Sequence, residues 1–356
     1  TAMTTSRAVN IGYSGVGELA IESGASAYWK TAGYPAFVGR NAVGTLSITG
    51  TGSSLTSEIT VNVGYSGGTG SMRIDAGGKG IFGTLSLGSY DGTGAATVSG
   101  TGSSLTLTNA SYIGLAGTGS LLIDSGARVS FGNTLQIGTG SGLGVVTLSG
   151  AGSALTVANR VFIGCYNGTG SLLISGAAQA SFGALMIGDD YDHSPTGALT
   201  LSGSTLTIGG GFILGTGSFW MDSTSRMTIG GNLNVTNAGA TFGFEIDASN
   251  PPAENDPLIS LNSLSLSADA LYVISLQNVP EQFEGTILLL EVSQEVSDAV
   301  KSIVWDILGI DPSELDARTE WIGNSLYLHV GAIPEPAVAA GLLGLLALAA
   351  VARRRK

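Results

Sequence analysis

At nine regularly spaced places in its first 215 residues the chain sets Ile, Val or Leu directly before a glycine: Ile11-Gly12, Val38-Gly39, Val63-Gly64, Leu87-Gly88, Ile113-Gly114, Ile137-Gly138, Ile163-Gly164, Ile187-Gly188 and Leu214-Gly215. The glycines follow one another at 27, 25, 24, 26, 24, 26, 24 and 27 residues. A second column keeps the same beat: Glu22, Thr49, Asp75, Ser99, Asp124, Ser149, Ser175, Ser202 and Asp222, each preceded by Ile, Val, Leu or Met. Above this lies a 50-residue register, since GTGSSLT starts at Gly50 and at Gly100, and GAGSALT at Gly150. Such a period marks stacked repeats, in which no unit buries its apolar face alone.

Inside a unit, apolar residues alternate with small polar ones, as in SLLID, ARVSFG and NTLQIG. Period two over three to five residues predicts short strands, with Gly, Ser, Thr, Asn and Asp turning the chain between them. No unit holds a ten-residue helical pattern, which excludes leucine-rich, ankyrin and helical-pair solenoids. Three strands per turn, stacked turn on turn, give an all-β fold: a right-handed parallel β-helix of about nine coils of about 25 residues over 1–249. Nine coils at about 4.8 Å would make a rod roughly 40 Å long. Ile123 should face inward between Val98 and Leu148, and the glycine column should mark a tight corner. A β-roll or an antiparallel sandwich is the alternative, and the strict register disfavours the sandwich.

Residues 250–332 read as an acidic α+β cap that covers the strand edges at one end. NPPAENDP at 250–257 breaks the repeat, and ISLNSLSLSADALYVISL alternates like two more strands. SQEVSDAVKSIVWDILG then shifts to helical spacing, with Val296, Val300, Ile303, Val304 and Ile307 on one side and Gly309 as its stop. Helix is expected over about 295–318, with DPSEL at 311–315 offering an Asp cap and a Pro at the first helical position.

The net charge of −12 is unevenly placed: residues 1–249 carry net −4 and residues 250–332 net −11. An acidic body with scattered cations excludes nucleic acid as a partner. The 43% hydrophobic content is too high for a disordered chain, and the 56 glycines have no collagen period. The one cysteine, Cys165, rules out an intrachain disulfide and a cysteine-based zinc site, and reads as a semi-buried spectator thiol. The start, TAMTTSRAVNIG, has no basic stretch leading into an apolar one; a signal peptide already removed and a piece of a longer chain are the two readings.

Candidate chemistry is sparse. Asp75 and Asp124 share a column two coils apart, about 9.6 Å, too far for a retaining glycosidase pair and at the outer limit for an inverting one. With Ser and Thr as column neighbours, they read as turn residues. GDDYDHSPTG at 188–197 is the most polar loop. Its Asp189, Asp190 and Asp192 form a weak candidate calcium loop, whose plainer reading is a solvated insertion. His193 and His329 are about 136 residues apart and support no Ser-His-Asp constellation. No Gly-Lys-Ser/Thr follows the glycines, so they are not a phosphate loop. Neither a cofactor nor a resident metal is expected. Tyr13, Tyr28, Trp29, Tyr34 and Phe37 crowd the first coil and read as an end cap, with sugar stacking as the other use.

The chain closes with IPEPAVAAGLLGLLALAAVARRRK. Ala337–Ala352 are sixteen apolar residues, about 24 Å as a helix against roughly 30 Å of hydrocarbon. That predicts a single, short membrane-spanning helix. Arg353, Arg354, Arg355 and Lys356 would hold the C-terminus in the cytoplasm and the globular part outside it.

Pro334-Glu335-Pro336, a short apolar helix and a terminal arginine cluster, in that order, resemble the PEP-CTERM sorting signal of Gram-negative bacteria. The resemblance covers residues 333–356. It implies recognition and removal of the tail by an exosortase-like membrane protease, passage through the inner membrane, and delivery to the cell surface or extracellular matrix. The repeats, with GTGSLLIDSGA at 117–127, are similar to those shared by PEP-CTERM proteins and autotransporter (type V secretion) passenger domains, which are β-helices and often adhesins. Self-transport is not expected, because residues 250–332 are too few and too acidic for a membrane barrel. The expected function is therefore that of an exported, non-enzymatic structural or adhesin-like solenoid. Extracellular polysaccharide is a candidate partner. The alternatives are a polysaccharide-binding module, a β-helix polysaccharide lyase or hydrolase, and a permanently tail-anchored envelope protein.

Overall fold

The computed structural model describes residues 2–5, 8–30, 34–188, 196–253, 255–280, 285–310 and 315–332. Among them the chain is almost entirely β, wound as a parallel solenoid of about ten turns. A narrow sheet of twelve strands forms one side and a broad sheet of nineteen the other. A typical turn takes Thr93–Ser99 through the narrow sheet, then Ser104–Leu107 and Ser111–Leu115 as first and second limbs of the broad sheet. This is the expected three strands per turn. In some turns the two limbs fuse into one bent strand, as in Ser54–Tyr65 and Ala154–Cys165, with a register shift at the bend between Ser57 and Thr60 or between Val157 and Arg160.

The columns found in the sequence are ladders in space. Ile113 pairs with Leu87 below and Ile137 above, and Ile137 with Ile163. In the narrow sheet Ile123 lies between Val98 and Leu148, and all three are fully buried. The first ladder continues from Leu214 to Val235 and Leu266. There Thr236 and Ser267 follow the apolar residue, so a glycine count misses these turns.

Gly114 shows what the glycine column does. Its φ is +77°, and an added Cβ would run into the Leu143 carbonyl. Gly144, in the next narrow strand, lacks positive φ, yet its Cβ would strike the Ile113 carbonyl and the backbone of Gly138. Two glycine columns thus abut along one corner and let backbones of successive coils touch, one through conformation and space, the other through space alone.

The 50-residue register arises at the opposite corner. Alternate coils turn there by different means. Ser125-Gly126 has two successive left-handed residues (φ +54° and +84°), whereas Gly100 and Gly102 are left-handed with Thr101 between them. The serine after the second kind of turn is buried, and its hydroxyl accepts the N–H that the neighbouring turn leaves over. Gly24 donates to Ser53, Gly77 to Ser103 and Gly126 to Ser153, each at 3.0 Å. This serine bond recurs every second coil, while the backbone ladders run through all of them.

The C-terminal region departs from the expected α+β cap. Parallel pairing continues past residue 250, through Ile259–Leu266, Leu271–Gln277 and Asp306–Leu308. The predicted helix shrinks to a single turn, Asp298–Lys301, whose start is capped by the Ser297 hydroxyl accepting the Val300 N–H. Val304 is 80% exposed, so the helical stripe does not form. Trp305 instead turns into the open end of the core, against Phe242, Phe244 and Tyr272. The strand edge at Val273–Ser275 gives Asp306–Leu308 a ladder, and β-branched Ile303 and Val304 favour that extended choice. Residues 311–314, where a second helical start was expected, lie outside the described residues; Leu315–Ile322 is a strand. It pairs antiparallel with Ser325–Ala332, which closes antiparallel onto Gly285–Val292. No helix among the described residues is long and apolar enough to cross a membrane.

Candidate functional surface

The three outward faces of the solenoid differ in depth. Outward residues of the narrow sheet such as Thr69, Ser71 and Arg73 are exposed, and so are Lys79 and Ile81 on the first limb. Outward residues of the second limb are not. They form a ladder of one side chain per coil: Asn62, Ser86, Tyr112, Gln136, Phe162, Met186, Ile213 and Asn234. Asn62 and Ser86 are buried although they point outward, and the rest are half-buried. The bend between the limbs raises one wall, and the corner turns after the glycine column raise the other.

The result is a recessed face parallel to the solenoid axis. A stretch of about 350 Å3 is floored by Asn62, Ser86 and Tyr112, with Thr60, Thr84 and Asn109 on the bend side and Ser89, Tyr90 and Leu115 on the turn side. A neighbouring stretch of about 360 Å3 shares Thr60, Asn62, Thr84 and Asn109 and adds Tyr34, Pro35 and Glu58. Farther along, about 300 Å3 is lined by Arg160, Met186, Ile213, Asn232 and Asn234 among others. Among the described residues, Glu58 and Arg160 are the charged ones lining these three stretches. The sequence reading missed this ladder. Its signal was present as the residue two before each column glycine, a position that the search for buried periodicity passes over.

Two other recesses lie elsewhere. One, of about 400 Å3, sits on the narrow sheet, where the Trp220 ring lies against the Cα of Gly243. Asp222, Glu245 and Asp247 also line it. Burial pushes the Asp222 carboxyl up, but hydrogen bonds from the Ser225 and Thr224 hydroxyls and the Gly203 N–H pull harder, leaving it below the usual carboxylate range. Those bonds make Asp222 a turn-holding residue. The second recess, about 580 Å3, lies by the final hairpin and is lined by Pro251, Pro252, Asp316, Arg318 and His329. His329 Nδ1 is 3.1 Å from the Thr286 hydroxyl, and its Nε2 is 3.4 Å from a Glu320 oxygen.

Asp75 and Asp124 occupy the expected column: Asp75 pairs with Thr49 and Asp124 with Ser99. Asp75 holds Arg73 at 2.6 Å. Burial raises its carboxyl, and the Thr49 hydroxyl and Arg73 guanidinium more than offset this, so it stays below its ordinary range. Asp124 Oδ1 is buried without a hydrogen-bond partner among the described residues. Cys165 is buried, with its sulfur 3.9 Å from Gln136 Oε1 and from the Gly138 carbonyl. Asp189, Asp190, Asp192 and His193 lie outside the described residues, as do Pro334, Glu335, Pro336, Ala337–Ala352 and Arg353, Arg354, Arg355 and Lys356. The first-coil aromatics divide: Trp29 is fully buried and Phe37 nearly so, whereas Tyr13 and Tyr34 are 51% and 65% exposed. Among the described residues no cluster of three His, Cys, Asp or Glu side chains is arranged to hold a metal ion.

No protein-family model matches the chain, and no curated protein or solved structure is significantly similar to it.

Proposed function

We propose that this protein is an exported, non-enzymatic structural or adhesive element, a right-handed β-solenoid displayed on the cell surface or in the extracellular matrix of a Gram-negative bacterium. The observation that carries the reading is the order of parts in residues 333–356: Pro334-Glu335-Pro336, sixteen apolar residues, then four cations. The apolar segment pauses export at the inner membrane, with the cations on the cytoplasmic side. The prolines keep the junction extended, because proline lacks an N–H and disfavours helix at the residue before it. An exosortase-like protease then reads the motif and releases the solenoid outward. The fold supports the reading, since a parallel solenoid is a long, self-supporting scaffold with a wide lateral surface.

Fractionation of the native host tests it. Glu335→Ala, or Pro334→Ala with Pro336→Ala, should leave precursor in the inner membrane while wild-type protein is recovered from the surface. Equal surface recovery of all three would sink the sorting step. The non-enzymatic part has its own check: the wild type should turn over polysaccharide no faster than a heat-denatured control, and a turnover that Asp75→Asn or Asp124→Asn abolishes would overturn it.

A further inference from the structure

We infer that the recessed outer face of the second limb is a binding site for an extended, uncharged polysaccharide chain lying along the solenoid axis. The ladder from Asn62 to Asn234 offers one outward side chain per coil, so its contacts repeat at about 4.8 Å. A ligand that uses them all must itself be a linear polymer with a short repeat. The rise of an extended pyranose chain is close to that spacing.

The lining chemistry selects the polymer. Thr84, Asn109, Gln136 and Asn234, exposed or half-buried on this face, present amides and a hydroxyl, which donate to and accept from sugar hydroxyls. Tyr112, half-buried on the same ladder and part of the recess floor, offers its ring to the apolar C–H faces of pyranose rings, whereas the Phe162 ring carries the Arg160 guanidinium 5.5 Å from its centre. Among the described lining residues Glu58 and Arg160 alone are charged, and the whole chain is at −12. A uronate-rich or otherwise anionic polymer would meet no cation cluster and a repulsive field. An extended peptide fits poorly, because strand addition needs an unpaired sheet edge and this is a sheet face whose backbone is already paired. The recess on the narrow sheet beside Trp220 differs in chemistry, since Asp222, Glu245 and Asp247 line it, and Thr69, Ser71 and Arg73 farther along that sheet are exposed.

The inference rests on the adhesive reading only for its biological setting, and the two fail separately: normal tail processing with no glycan binding defeats the groove alone. The test is affinity electrophoresis of the full chain in gels containing hydroxyethyl cellulose, galactomannan, arabinoxylan or polygalacturonate. Retardation by at least one neutral polymer, and none by polygalacturonate, is expected. Tyr112→Ala should weaken retardation about tenfold, the scale of one lost aromatic contact. Gln136→Ala serves as a second variant, and Ser120→Ala, on the outer face of the narrow sheet, should bind as the wild type does. Thermal melts establish that each variant is folded. No retardation by any neutral polymer, equal retardation by polygalacturonate, or undiminished binding by folded Tyr112→Ala and Gln136→Ala would overturn the assignment.

Discussion

Gly114 and Gly140 look alike in the sequence and differ in what surrounds them. Both have positive φ, but a Cβ on Gly114 would collide with the Leu143 carbonyl, while the nearest atom to one on Gly140 is 3.8 Å away. Gly140→Ala should therefore cost only the left-handed penalty, about 1–2 kcal/mol. Gly114→Ala should exceed about 4 kcal/mol, because neighbouring coils must separate. Denaturant melts of the two variants give the comparison, and equal losses would refute the glycine seam. Asp222 makes a second prediction at this scale. Its carboxyl sits below its ordinary range in the folded chain, so its stabilisation is present above the unfolded value and lost as pH falls through the folded one. The melting temperature of the wild type should therefore drop more between neutral and acidic pH than that of Asp222→Asn; matching profiles would remove the role assigned to its hydrogen bonds.

At the scale of the strand, alternation fixes which residues face the core. Ile123 is fully buried between Val98 and Leu148, whereas Ser125 is exposed at a turn with φ +54°. Ile123→Asp should unfold several coils, because an unpaired buried charge costs several kcal/mol, and should lower the melting temperature by about 5 °C or more. Ser125→Asp should be nearly silent, since Asp tolerates left-handed backbone. Similar melting curves would show the alternation to be misassigned. These ladders were legible in the sequence because period two and the 25-residue column agree on the same residues. The segment around Val304 and Trp305 was not, because its spacing fits a helix while its fate is set from outside, by the open strand edge at Val273–Ser275 and the aromatic cluster at the end of the core. The second-limb groove was hidden for another reason. Its floor consists of outward residues, and a bend between strands that no local pattern encodes makes them half-buried.

Across the whole molecule, aromatic side chains recur in the core, Trp29 near one end, Phe82, Phe131 and Phe182 between, and Phe242, Phe244 and Trp305 near the other end of the described solenoid. The rest of the core is Ile, Val and Leu for the most part. Such a rod suits display, and the tail supplies the route. Intact-mass spectrometry of protein extracted from the surface of the native host tests the central claim most directly. The account predicts a species that has lost the apolar run and Arg353, Arg354, Arg355 and Lys356, and is more acidic by those four charges. A surface species still ending in Arg-Arg-Arg-Lys would mean a permanent anchor and would contradict it.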